Sequence, residues 1–236
     1  MRSRQRFLLA LFALLLPVLP LGRAGDEHAD PDVVEPFNGK FRLSWKIVRP
    51  DEKRWSLTKN KGKLTITTQR GTIYAESDKT NVKAKNLFLV SNPYGRADFE
   101  VSVRVSKFEP TATYQQAGLL LYDDDDNYLK FVWEAKTDAG NHLVYIRETE
   151  AKPLHSYGAT PENKGEVWLR LTRRKNKYEY AASGDGKKWT VYGEEEWKEK
   201  GPRRIGLMAK NGPTDAPEID ACFTDFRARL VKPLED

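Results

Sequence analysis

The sequence predicts an all-β chain of two packed antiparallel sheets, on three observations. Apolar residues recur at every second position through many short segments. Turn residues separate those segments at close intervals, and no long stretch carries the 3.6-residue repeat of an amphipathic helix. Strands without intervening helices imply sheet packed on sheet rather than a parallel sheet covered by helices.

The first 24 residues stand apart from that pattern. Arg2, Arg4 and Arg6 precede an unbroken apolar run, Phe7 to Leu16, and Gly22 and Ala24 are small residues where a signal peptidase reads. The run is shorter than the roughly 20 apolar residues that span a bilayer. Residues 1–24 are therefore expected to be a cleaved export signal, giving a secreted or periplasmic protein with no membrane attachment after cleavage. Arg2, Arg4, Arg6 and Arg23 supply four of the 40 basic residues, so the remainder carries 36 basic against 34 acidic side chains. Much of the high isoelectric point belongs to the signal, and the remaining charges are interspersed, which argues against a nucleic-acid partner.

Residues 25–36 are polar and contain Pro31 and Pro36, the composition of a linker. Residues 37–232 then form one domain. Its expected strands are Lys63–Gln69, Asn86–Val90, Asp98–Val105, Ala117–Tyr122, Tyr128–Glu134, His142–Arg147, Val167–Arg173, Lys177–Ala182, Lys188–Tyr192 and Arg204–Ala209. The third shows the logic: Phe99, Val101, Val103 and Val105 share one face, Glu100, Ser102 and Arg104 the other. Asp185-Gly186 marks a tight hairpin, because the central residues of such turns take positive φ. Glu194–Lys200 is the one segment expected to turn helically. The segments 151–165 and 211–217 read as loops. Cys222 has no cysteine to pair with and is expected to be a small buried hydrophobe.

Three stretches are more specific: Tyr114 to Tyr122 with Asp126 to Lys130 and Glu134; Trp168 to Arg173 with Tyr178, Ser183, Asp185-Gly186 and Trp189; and Ala221 to Arg227. In this order they resemble the concanavalin A-like domains of the regulation-of-enolase-protein-1-like kind. They also resemble the β-sandwich at the C-terminus of many β-xylosidases. The resemblance spans about Phe37 to Leu230 and implies an all-β, two-sheet antiparallel jelly-roll sandwich. It implies much less about activity, since related sandwiches include glucanases, sugar-binding modules and structural domains. The Phe37-Asn38-Gly39-Lys40 segment is also similar to the start of 3-keto-disaccharide hydrolases.

No complete catalytic motif accompanies the resemblance. Glycosidases of this fold place Glu-x-Asp on a strand with a second Glu shortly after, two carboxylates working across the scissile bond. Glu218-Ile219-Asp220 supplies the beginning, but Cys222 and Phe223 stand where the acid/base would fall. Asp123 to Asp126 reads as a hairpin loop rather than a calcium loop, which spaces its ligands and turns on glycine. No cofactor is expected. A structural calcium, with Asp220 and Asp225 as candidates, stays open because many related sandwiches hold one. His28, His142 and His155 have no metal-spaced partners.

Strand parity nominates a ligand surface. If Leu129, Phe131, Trp133, Leu169 and Leu171 face the core, then Gln116, Tyr122, Tyr128, Lys130, Glu134, Trp168 and Arg170 face outward. Such a mixed aromatic and charged face suits an oligo- or polysaccharide. The same charges would also make cross-strand ion pairs on a solvated sheet, each worth about 0.2–1 kcal/mol. Three functions remain open: non-catalytic carbohydrate recognition, saccharide hydrolysis through carboxylates such as Glu134, or a purely structural or protein-interaction role.

Overall fold

The computed structural model describes residues 32–75, 82–136, 140–161, 165–213 and 215–232. The expected export signal and most of the expected linker lie outside them. The first antiparallel sheet contains β1 (Val33–Glu35), β3 (Trp55–Ser56), β4 (Leu64–Thr67), β6 (Phe99–Ser106), β11 (Glu166–Arg174), β12 (Lys177–Ser183), β13 (Thr190–Glu196) and β15 (Asp220–Leu230). Its order is β13-β12-β11-β6-β15-β4-β3, with β1 also paired to β15. The second contains β2 (Lys46–Val48), β5 (Leu87–Ser91), β7 (Gln116–Asp124), β8 (Asn127–Lys136), β9 (Gly140–Thr149), β10 (Lys152–Ala159) and β14 (Arg204–Lys210). Its order is β10-β9-β8-β7-β14-β5-β2. Neighbours distant in sequence, such as β6 beside β15 and β7 beside β14, make this a sandwich of crossing connections rather than a meander.

The alternating residues seal the space between the sheets. Leu129, Phe131 and Trp133 of β8 share one buried cluster with Leu169 and Leu171 of β11 and with Phe99, Val101, Val103 and Val105 of β6. Burying one such side chain contributes about 1.5–3 kcal/mol, so this layer holds the sheets face to face. Cys222 is buried on β15 beside the Thr65 hydroxyl.

A second apolar cluster lies on the outer face of the second sheet. Leu120, Val132, Val144 and Met208 pack there beneath Ile73 and Ala84. Backbone hydrogen bonds between Thr72 and residues Val82 and Ala84 hold that covering segment together. The central strands of this sheet are therefore buried on both faces.

Three expectations are corrected. Residues 151–165 were expected to be a loop, but Lys152–Ala159 is an edge strand on β9. Pro153 hid it, because proline is excluded from central strands yet tolerated at an edge. Glu194–Lys200 does not turn helically: Thr190–Glu196 continues as the edge strand β13. Beyond it the Trp197 amide bonds Asn176 O and Glu199 O accepts from buried Arg173, so these backbone groups are engaged outside any helix. The end of the expected linker, Val33–Glu35, pairs with β15. Buried Glu35 ties the next turn down, accepting from the Phe37, Arg42 and Leu43 amides and from the Trp45 indole.

Candidate ligand cleft

Register on the second sheet builds a site from the strands upward. One transverse row runs Lys210 (β14), Gln116 (β7), Glu134 (β8) and His142 (β9). Two residues along, a second row runs Met208, Gly118, Val132, Val144 and Tyr157 (β10), and a third runs Gly206, Leu120, Lys130, Ile146 and His155. Side chains two apart on a strand share a face, so these rows form one surface. Of these rows, Lys210, Gln116, Glu134, Val144, Tyr157, Lys130, Ile146 and His155 line a cleft of about 370 Å³ on the outer face of the sheet.

Its rim comes from two loops. Tyr114, 48% exposed, precedes β7, and Pro213 follows β14. The Gln115 side chain locks the loops together, accepting from the Thr111 and Ala112 amides and donating to Asn211 Oδ1 and Pro217 O. At Gly212, φ is +86° and an added Cβ would lie 2.4 Å from Tyr114 Cβ, so only glycine lets the two loops close. On the far side Tyr157, 57% exposed, stands against the His142 ring at a centroid distance of 5.3 Å.

Polar side chains stand among the apolar ones of the floor. Gln116 Nε2 donates to Glu134 Oε2, while Glu134 Oε1 lies 3.8 Å from His142 Nε2. Lys130 is fully buried and its Nζ has no hydrogen-bond partner among the described residues; it sits 5.4 Å from the Tyr128 ring centroid. Lys210, 3% exposed, donates to Tyr114 O at 3.3 Å. Burial, reinforced by the Lys210 charge, pushes the Lys130 amine well below the usual lysine range, against the pull of Glu134 and Glu148. Burial brings Lys210 down to about 8. Burial also raises the Glu148 carboxyl, though it accepts from the Tyr128 hydroxyl and the Ala75 amide.

The expected seven-residue surface is divided. Gln116, Lys130 and Glu134 line the cleft. Tyr122 and Tyr128 share their sheet face but are buried, their hydroxyls bonded to Asp125 and Glu148, so neither ring is offered to a sugar. Trp168 and Arg170 belong to β11, in the other sheet. They line a separate depression of about 310 Å³ with Trp189 and Arg227, where the Arg170 guanidinium lies 4.4 Å from the Trp189 ring centroid. The single shared face is thereby corrected to two opposite ones, because parity fixes a side chain's face only relative to its own sheet.

Lys210, His142, Tyr114 and Tyr157 were missed. Lys210 falls one residue beyond the expected end of its strand. His142 was read as solitary, yet it shares Glu134's face on the adjoining strand. Tyr157 lay in a segment read as loop. Of the groups considered for metal or catalysis, Asp220 is engaged by Thr67 Oγ1 and Lys59, and Glu218 by Arg54. The Asp123–Asp126 run makes the β7–β8 hairpin, with Asp125 on Arg49 and Asp123 on Lys198. Among the described residues no group of three or more His, Cys, Asp and Glu is arranged to hold a metal.

These features define a two-sheet concanavalin-like sandwich with a polar cleft on one outer face. The chain belongs to the family described as a protein of unknown function (DUF1349), whose model matches residues 49–230. No curated protein is matched by the sequence. Among solved structures, the GH43 protein BlXynB from Bacillus licheniformis is similar at 21% identity and a TM-score of 0.71, over 91% of this chain and 41% of that one. A xylan β-1,4-xylosidase from Bacillus halodurans C-125 is similar at 17% identity and a TM-score of 0.69, over 90% and 41% respectively. A functionally unknown protein from Saccharomyces cerevisiae matches at 20% identity and a TM-score of 0.60, covering 80% of this chain and 97% of its own. The chain thus spans about two fifths of the GH43 proteins, matching their C-terminal β-sandwich region, and at these identities the likeness shows the fold.

Proposed function

We propose that this chain is a secreted, non-catalytic carbohydrate-recognition or accessory sandwich that binds a saccharide in the cleft of its second sheet. The observation that carries this reading is the row Lys210, Gln116 and Glu134 lying in the cleft between exposed Tyr114 and Tyr157. Polar groups there can meet sugar hydroxyls, and aromatic rims can lie against the apolar face of a pyranose. The GH43 proteins that share the fold include an enzyme named for xylan, which makes plant-type polysaccharides the first class to try. Among the described residues Glu134 is the one carboxylate that lines the cleft, whereas a retaining glycosidase uses two about 5–5.5 Å apart.

A glycan array with the protein lacking residues 1–24 tests the reading. Binding should weaken about tenfold or more in Gln116→Ala and Tyr157→Ala, and should survive Trp168→Ala on the opposite sheet. Absence of binding to any glycan, or loss through Trp168→Ala alone, would overturn it. The Glu134–His142 contact favours one alternative, a saccharide-cleaving enzyme that moves a proton through that pair. Product release that Glu134→Gln abolishes would establish the enzyme in its place.

A further inference from the structure

The cleft floor carries more hydrogen-bond donors than the protein satisfies. Two lysine ammonium groups present six N–H bonds between them. Among the described residues one is used, from Lys210 to Tyr114 O, and Lys130 makes none. Among the described residues neither lysine has a carboxylate within 4.0 Å, although both line the same cleft. The nearby acids are engaged elsewhere. Glu134 accepts from Gln116 and faces His142, and Glu148 accepts from Tyr128 and Ala75. A buried polar group without a partner costs roughly 1–3 kcal/mol, more when charged, and such a cost persists where a ligand relieves it.

Resting on the carbohydrate reading above, we propose that the saccharide taken by this cleft is acidic, carrying one negative group that sits against Lys130 and Lys210. A carboxylate or sulfate oxygen would accept from both ammonium groups, and such charge-assisted bonds are about twice as strong as neutral ones. Lys130 is recessed in the third row beside Ile146, and Lys210 stands at the end of the first beside Gln116. The charged group therefore enters deepest while the ring contacts Tyr114 and Tyr157 at the rim. A single negative charge fits better than a dianionic phosphate, because Glu134 borders the same space and would repel the second charge.

The test is calorimetric titration with four disaccharides: one bearing a single uronic-acid carboxylate, its methyl ester, the neutral parent sugar, and a monosulfated form. The acid should bind at least tenfold more tightly than its ester and the parent, and Lys130→Met and Lys210→Met should each erase that preference. Preference for the sulfated sugar over the parent supports the proposal equally and identifies the sulfate ester as the source of charge. Equal binding of acid, ester and parent overturns the acidic preference and leaves carbohydrate recognition standing. Binding of none of the four, with no glycan bound on the array, overturns both. Circular dichroism of each variant confirms that it folds.

Discussion

Replacing Lys210 with methionine removes a buried charge while nearly preserving side-chain volume, and should stabilise the protein. In the folded chain this amine releases its proton near pH 8, against 10.5 when unfolded, with burial as the main cause and Glu134 opposing it. At about 1.4 kcal/mol per pH unit, holding the charged form at neutral pH costs the fold ~3 kcal/mol. The substitution also loses the bond to Tyr114 O, worth about 1 kcal/mol. The net gain at pH 7 is therefore ~2 kcal/mol, which for a domain of this size raises Tm by about 4–8 °C.

The pH dependence separates this account from ordinary repacking. Between pH 8 and 10.5 the unfolded chain still holds the Lys210 proton and the folded chain has lost it. Stability of the natural protein therefore rises through that window. Lys130, pushed down by the same burial, adds to the rise. Above pH 10 the buried hydroxyls of Tyr128 and Tyr145, whose pKa values are raised by burial, keep protons that the unfolded chain gives up, and stability falls again. Urea titrations at pH 7 and 9.5 measure the effect: the advantage of Lys210→Met should shrink from ~2 to ~0.5 kcal/mol. A variant less stable than the parent at pH 7, or a pH-independent difference, would refute the reasoning.

Two further substitutions probe how the cleft and its fold are held. Gly212→Ala places a Cβ into Tyr114 at a positive φ, so about 1–3 kcal/mol of stability should be lost by urea titration, and saccharide affinity should fall with the displaced rim. Glu35→Ala strips the acceptor from three amides and the Trp45 indole, and should cost about 3 kcal/mol or more in the same titration. Stability unchanged in Glu35→Ala would mean that β1 and its turn contribute nothing to the domain.

The strands were legible because their cause is local. Phe99, Val101, Val103 and Val105 alternate with polar neighbours, and no other arrangement buries all four on one side. The segments that escaped detection are edge strands. On β10 and β13 only one flank is paired, so Pro153 and the glutamates of 194–196 are tolerated, and the composition of a strand becomes that of a loop. Three of the cleft residues, Gln116, Lys130 and Glu134, were also readable, as polar side chains opposite a core-facing set on a hairpin whose two strands must be neighbours.

By itself, then, the order of residues determined an all-β sandwich, the faces of its strands, and the side chains that fill its interior, since periodicity is a property of each segment alone. Only the tertiary structure decided which strands lie side by side. That placement set Lys210 next to Gln116 across nearly a hundred residues of chain, joined His142 to Glu134, and sent Trp168 and Arg170 to the opposite surface. The physical reason is that sheet order follows from how two hydrophobic faces close over one another, a choice made by the whole chain at once and written in no single stretch of it.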